Sequence, residues 1–234
     1  MKLEIGVSPA GAPSSVAERI EGMRESIAEA ARSLGRDPHG VVLVGVTKRQ
    51  SLETVREALA AGLNDIGENY LQEAREKYAT LHARKHFIGH IQTNKAKAIV
   101  ETFDVVQSID RLDAGVAIAR AQEKLGKRVR ALLQINISPA DRFGVVPEEA
   151  PELARRLRED EGLEVDGVMA IGPLGGSVED AFALAAQTFA AVGGATLSLG
   201  MSGDWERAIA HGSTMIRIGS ALFGPRPARE GALA

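Results

Sequence analysis

Cysteine is absent from the 234 residues, which excludes disulfides, thiolate metal sites and a cysteine nucleophile and suits a reducing cytoplasm. A strong charge of either sign is missing too. The formal net charge is -3, so no basic field is available for nucleic acid or anionic lipid, and a bound phosphate would have to be held by local groups. Nowhere do about eighteen apolar residues run together, and Met1-Lys2-Leu3-Glu4-Ile5-Gly6 lacks the apolar core of a signal peptide. Secretion, membrane insertion and a nucleic-acid partner are therefore not expected. Tyrosine is scarce, at two residues, and tryptophan is single. What is present, 44% apolar and 25% charged residues, is the composition of an ordinary globular protein long enough for one large core.

Strand-like and helix-like segments alternate along the whole chain. After a helix near 14–34, ended by Gly35 and Pro38, strand candidates fall near 41–47, 64–67, 86–89, 104–108, 129–137, 164–171, 196–200 and 215–218. Amphipathic stretches separate them, near 51–62, 69–83, 93–101, 111–126, 147–160, 178–192 and 203–211. Cap-type residues open several of these, such as Ser51 with Thr54 and Ser177 with Asp180. Such alternation builds right-handed βαβ units and a parallel sheet, and eight strands in this length predict a single (β/α)8 TIM barrel. An open doubly wound sheet is the alternative, but Gly45-Val46-Thr47-Lys48 cannot supply its Gly-x-Gly-x-x-Gly fingerprint. The expected organisation is one domain over 1–234, with an extra helix at 14–34, the barrel at 41–224 and a tail at 225–234.

Lys48 ends the apolar run Val41-Val42-Leu43-Val44-Gly45-Val46-Thr47. A run without polar alternation fits a parallel strand covered on both faces, which places the ammonium at the strand's carboxyl end beside low-dielectric walls. Burial favours the neutral amine, and a neutral lysine amine attacks aldehydes to form Schiff bases. The bland alternative is a rim lysine lying along apolar surface.

Functional residues of a barrel cluster where its strands end. Here those ends carry Lys48, Gly67-Glu68-Asn69-Tyr70, Gly89-His90-Ile91-Gln92, Gly200-Met201-Ser202-Gly203-Asp204 and Arg217-Ile218-Gly219-Ser220. Barrels often bind phosphate after strands seven and eight. Gly203 and Gly219 permit close backbone approach while Ser202 and Ser220 offer hydroxyls, although the same residues also make plain turns. Arg217 lies inside the apolar strand Met215-Ile216-Arg217-Ile218, and its buried guanidinium requires an acceptor. Asp65 or Asp166 could serve, and so could the lone pair of a pyridine nitrogen.

These segments, with Ile66-Gly67-Glu68-Asn69-Tyr70-Leu71-Gln72-Glu73, His86-Phe87-Ile88-Gly89-His90-Ile91-Gln92-Thr93-Asn94-Lys95, Leu197-Ser198-Leu199-Gly200-Met201-Ser202-Gly203-Asp204 and Gly212-Ser213-Thr214-Met215-Ile216-Arg217-Ile218-Gly219-Ser220, closely resemble the pyridoxal phosphate homeostasis proteins. The resemblance implies the barrel of the alanine racemase N-terminal domain (fold type III of the pyridoxal phosphate proteins). It further implies that Lys48 holds pyridoxal 5'-phosphate (PLP) as an internal aldimine, that Ser202, Gly219 and Ser220 bind its phosphate, that Arg217 faces its ring nitrogen, and that Met201 and Asn69 lie against it. The partners so implied are PLP, related B6 vitamers and apo-enzymes that accept the cofactor, in the cytoplasm. Two departures touch the rim: Arg142-Phe143-Gly144 stands where the family shows lysine, one residue and glycine, and Met169-Ala170-Ile171-Gly172-Pro173 replaces paired prolines.

Racemases of this fold take a tyrosine base from an added β-domain, for which the ten residues after Gly224 leave no room. Tyr78 reads as helix packing or surface, Tyr70 as a packing residue within approach of the pocket, and no catalytic residue is assigned. The expectation is a non-catalytic PLP carrier. The competitors are a small single-domain amino-acid racemase and a cofactor-free Schiff-base aldolase that would use Lys48 on a phosphorylated sugar. His82, His86 and His90 do not share one helical face, so no metal site is expected. His86 reads as core-adjacent, His90 as a residue of the rim, Trp205 as packing, and Glu68 as orienting either a backbone or Lys48. Arg84-Lys85 and Lys95 with Lys97 read as solvated charges.

Overall fold

A computed structural model describes residues 15–138 and 143–224. Eight strands, β1 Val42–Val46, β2 Asp65–Glu68, β3 Arg84–Phe87, β4 Val105–Ile109, β5 Arg130–Ile135, β6 Val165–Ala170, β7 Thr196–Ser198 and β8 Met215–Ile218, close in sequence order into a parallel barrel. Closure comes from β8 pairing with β1, where Arg217 stands opposite Val44. The helices are α1 Val16–Ser33, α2 Leu52–Ala60, α3 Leu71–Tyr78, α4 Ala96–Thr102, α5 Leu112–Leu125, α6 Ala150–Glu159, α7 Val178–Val192, α8 Trp205–Ala210 and α9 Ser220–Phe223. Every strand and helix expected from periodicity is present. Strand β3 begins two residues before the expected 86, because Arg84, a solvated charge as expected, opens the strand while remaining exposed. The short α9 was not expected, since four residues are too few to show a period.

Side-chain caps begin the helices as the sequence suggests: the Thr54 N–H donates to Ser51 Oγ (3.1 Å) and the Asp180 N–H to Ser177 Oγ (3.2 Å). Helix α1 starts with a full capping box between Ser15 and Glu18. Its buried face, Ile20, Met23, Ile27 and Ala31, packs on α2, α8 and α9. Burying the three large side chains contributes roughly 5–9 kcal/mol of transfer free energy. Arginines tie the layer down: Arg19 Nε donates to Leu222 O (2.6 Å), and Arg36 donates to Ile209 O (2.6 Å) and Ser213 O (2.7 Å). Thus the extra helix covers the side of the barrel where α8 and α9, at six and four residues, are shortest.

The outer layer is apolar, but the barrel lumen holds polar side chains. Ser198 on β7 bonds Gln107 on β4 (2.7 Å), and those strands are not neighbours, so the bond crosses the lumen. No described helix is long and apolar enough to cross a membrane.

Candidate functional site

The turn after β1 is fixed by side chains the sequence did not single out. Arg49, next to Lys48, is the one non-glycine residue with positive φ (61°) among the described residues, a conformation that costs about 1–2 kcal/mol. Lys77 on α3 spans this turn, its Nζ donating to Thr47 O (2.7 Å) and Gln50 O (3.3 Å). Glu73 Oε1 accepts from the Arg49 N–H (2.6 Å) and from Lys77 Nζ (2.7 Å). Glu73 and Lys77 are four residues apart on one helix face, the spacing at which such pairs meet. The backbone on both sides of Lys48 is therefore clamped from α3, and Lys48 itself is half-buried.

Glu68 completes the clamp. It is fully buried; Oε1 accepts the Asn69 and Tyr70 N–H groups (2.7 and 3.2 Å), and Oε2 accepts from Lys77 Nζ (3.1 Å). Of the two roles read from the sequence, it orients a backbone. Burial pushes its carboxyl above the ordinary range, with Lys77 pulling the other way. Tyr78 is buried rather than superficial: its hydroxyl meets Thr47 Oγ1 at 2.6 Å and its ring packs edge-on against Phe103. Burial also pushes its phenol up, so Tyr78 is a neutral prop and not a base. Tyr70, at 53% exposure, stands at the rim.

Asn69 follows β2, and its Oδ1 is buried without a hydrogen-bond partner among the described residues. An unmatched buried acceptor is costly unless something outside the chain donates to it. Gly89 stands against this segment so closely that a Cβ there would overlap the Asn69 carbonyl. Gly89→Ala is thus expected to destabilise the fold by about 3 kcal/mol, read as a lower thermal midpoint against wild type; an unchanged midpoint would remove the steric argument.

After β7, Gly200 turns with φ 98°, and a Cβ there would meet Ala208 Cβ at 2.6 Å. Asp204 Oδ1 accepts the Met201 N–H (2.6 Å), folding the loop so that Ser202 and Gly203 are exposed at its tip. Their N–H groups donate to no acceptor among the described residues. After β8, Gly219 and Ser220 open α9; the Leu222 and Phe223 N–H groups donate to Gly219 O (3.0 Å each), while those of Gly219, Ser220 and Ala221 donate to no acceptor among the described residues. A Cβ on Gly203 would meet nothing within 4 Å, and one on Gly219 only Val46 at 3.7 Å. Packing does not demand glycine at either position, so both leave open space beside the backbone.

Arg217 is almost wholly buried. Nη1 donates to Ser198 O (2.8 Å) and Ser198 Oγ (2.6 Å), and Nη2 donates to Ala170 O (2.7 Å). Neither Asp65 nor Asp166 is its acceptor: Asp65 is taken by His86 (2.8 Å) and Asp166 by Thr196 (2.8 Å). The carboxylate alternative is thereby corrected, since both aspartates lie at the amino ends of β2 and β6 while Arg217 lies toward the opposite end of β8. Burial lowers the guanidinium to about 10, with Asp204 opposing, so it stays charged at neutral pH. Of the five N–H groups an arginine carries, the Nε–H donates to nothing among the described residues.

Across the mouth from β1 a cleft of about 620 Å³ opens, lined by Asp110, Arg111, Gln134, Asn136, Phe143 and Ile171. His90 sits on this rim, stacked on Phe143 with ring centres 4.4 Å apart and with Nδ1 3.5 Å from Asp110. His86 is buried in the lumen and His90 is exposed, so the histidines do not converge. Trp205 is buried as expected, whereas Arg142 lies outside the described residues.

The closed eight-stranded barrel thus presents a lysine on a clamped turn after its first strand and unpaired backbone amides after its seventh. Residues 23–227 match the family model described as alanine racemase, N-terminal domain, and the chain belongs to that family. It is 42% identical over 222 residues to the pyridoxal phosphate homeostasis protein of Pseudomonas aeruginosa, covering 91% of this chain and 96% of that protein. It is 36% identical over 228 residues to the protein of the same name from Escherichia coli (strain K12), covering 91% and 97%. Among solved structures, PipY of Synechococcus elongatus PCC7942 with PLP bound superposes with a TM-score of 0.79 at 31% identity, covering 90% of this chain and all of that one.

Proposed function

We propose that this chain binds PLP covalently through Lys48 and serves PLP homeostasis as a carrier, without turning over amino acids. The observation that carries the reading is the placement of three unlike groups at one barrel mouth. Lys48 follows β1, unpaired amides of Ser202, Gly219 and Ser220 follow β7 and β8, and Arg217 has an unspent N–H on β8. A phosphorylated pyridine aldehyde has one functional group for each. The aldehyde takes the lysine amine, the phosphate takes the amides and hydroxyls, and the ring nitrogen takes the arginine N–H. The orphaned Oδ1 of Asn69 and the open space beside Gly203 and Gly219 fit a ligand lying there, with Met201 beside it. When bound, the group supplies a reversible carbonyl; the chain's own residues hold, orient and release it.

PLP, related B6 vitamers and apo-enzymes that accept the cofactor are the proposed partners. The relatives' names support homeostasis, and the PLP in PipY supports the ligand. The test is borohydride reduction of the PLP-incubated protein followed by peptide mass analysis. The added mass is expected on the Lys48 peptide, and a yellow protein is expected before reduction; a colourless protein that traps only with a phosphorylated sugar would instead be an aldolase. For the racemase alternative, Tyr70 is the tyrosine nearest the mouth, and its exposure leaves it poorly placed to hold a proton in a dry site. Alanine isomer exchange is expected to be absent in wild type and unchanged by Tyr70→Phe. Exchange that Tyr70→Phe abolishes would overturn the carrier reading.

A further inference from the structure

The lumen contains a chain of buried hydrogen bonds that begins at Arg217 and leaves the site altogether. Arg217 Nη1 donates to Ser198 Oγ (2.6 Å), Ser198 Oγ donates to Gln107 Oε1 (2.7 Å), Gln107 Nε2 meets His86 Nδ1 (2.8 Å), and His86 Nε2 meets Asp65 Oδ1 (2.8 Å). The links come from β8, β7, β4, β3 and β2, so the path crosses the barrel. Ser198, Gln107 and His86 are fully buried, and Asp65 is 8% exposed at the far end, where the exposed Arg84 reaches it at 3.4 Å.

The two ends fix the direction of every bond between them. Arginine can only donate and an ionised carboxylate can only accept. Ser198 Oγ, having accepted from Arg217, sends its own hydrogen to Gln107 Oε1. That assignment makes Gln107 Nε2 the amide donor, in keeping with its second contact to Met215 Sδ (3.2 Å). His86 must then accept at Nδ1 and carry its proton on Nε2, which points at Asp65. Hydrogen bonds aligned head to tail polarise one another, and here they lead from a buried cation to an anion that never touches it.

We propose that Ser198, Gln107, His86 and Asp65 are positioning residues for Arg217, forming a one-way relay that fixes its guanidinium at the ring-nitrogen position. The inference rests on the reading that Arg217 faces the cofactor's ring nitrogen, but the relay's polarity is a property of the unloaded protein. Without the relay, Arg217 keeps the carbonyls of Ser198 and Ala170 but loses the hydroxyl that sets its Nη1. A looser guanidinium opposes ring protonation less, and a protonated ring makes the lysine-linked nitrogen less basic.

Two measurements test this. In PLP-loaded protein, Ser198→Ala is expected to lower the pH midpoint of the absorbance titration by about half a unit, a threefold change in proton affinity, and Ser198→Thr to restore it. Asp204, Glu68, Glu73 and Lys77, the charged groups around Arg217 and the Lys48 turn, are unchanged in both variants. A merely structural serine would shift the melting temperature and leave that midpoint in place. In unloaded protein, nitrogen NMR is expected to find His86 as the Nε2–H tautomer, with Asp65→Asn weakening that preference. Equal midpoints in wild type and Ser198→Ala, or an Nδ1–H tautomer in the unloaded protein, overturn the relay. Failure of wild type to acquire the absorbance band strikes the proposed function instead, and the NMR result still decides the relay.

Discussion

Lys48→Ala is expected to abolish the yellow band that PLP gives with this protein and to eliminate the borohydride-stable adduct. The phosphate and ring contacts proposed for Ser202, Gly219, Ser220 and Arg217 do not depend on that amine, so non-covalent binding should persist, weaker by about a hundredfold or more, equivalent to roughly 3 kcal/mol. The nearby amine is no substitute. Lys77 Nζ is buried and bonded to Thr47 O, Gln50 O, Glu68 and Glu73, so reaching a ligand would break four contacts. Absorbance and mass spectra of wild type and Lys48→Ala, recorded after gel filtration, decide the matter. An unchanged band in the variant would refute the assignment of Lys48.

Removing Lys77 should have the largest effect on folding. Lys77→Met preserves much of the side chain's bulk but strips the buried Glu68 of its cation, and it frees the Thr47 and Gln50 carbonyls that hold the Lys48 turn. Breaking a buried pair on one side costs about 3–5 kcal/mol. The effect has a defined pH dependence. The folded-state Glu68 carboxyl already lies above its ordinary value, so its favourable contribution is complete at acid pH, below the unfolded value, and declines as pH rises through the folded one. Without Lys77 the carboxyl rises further. The deficit of Lys77→Met is therefore expected to be greatest near neutrality and to narrow as the pH falls toward the carboxylate range, measured by urea unfolding at several pH values. A deficit independent of pH would show that the lost carbonyl contacts, and not the charge on Glu68, dominate.

Much of the barrel was legible from periodicity, because strand and helix repeats are imposed residue by residue by backbone sterics and by which face is buried. The strand-end position of Lys48 needed nothing more than the end of an apolar run. The clamp was only half visible. Glu73 and Lys77 show the four-residue spacing of a helical ion pair, but nothing local says that Lys77 turns inward to Thr47 and Gln50. Tyr78 looked like a packing residue because its partner Thr47 lies 31 positions away. For Arg217 the demand for an acceptor is readable and its supply within the chain is not: neither Asp65 nor Asp166 meets it, and the barrel supplies two main-chain carbonyls and a serine.

By itself, then, the order of residues determined the alternating elements, the single barrel and the lysine at the exit of the first strand, since each follows from local repeat and burial. Only closure of the barrel decided which lumen groups meet. Ser198 and Gln107 are 91 positions apart on non-adjacent strands, and their contact exists because eight paired strands curve until β8 reaches β1. A hydrogen bond acts over about 3 Å, so the polar wiring behind Arg217 depends on a geometry no local pattern encodes.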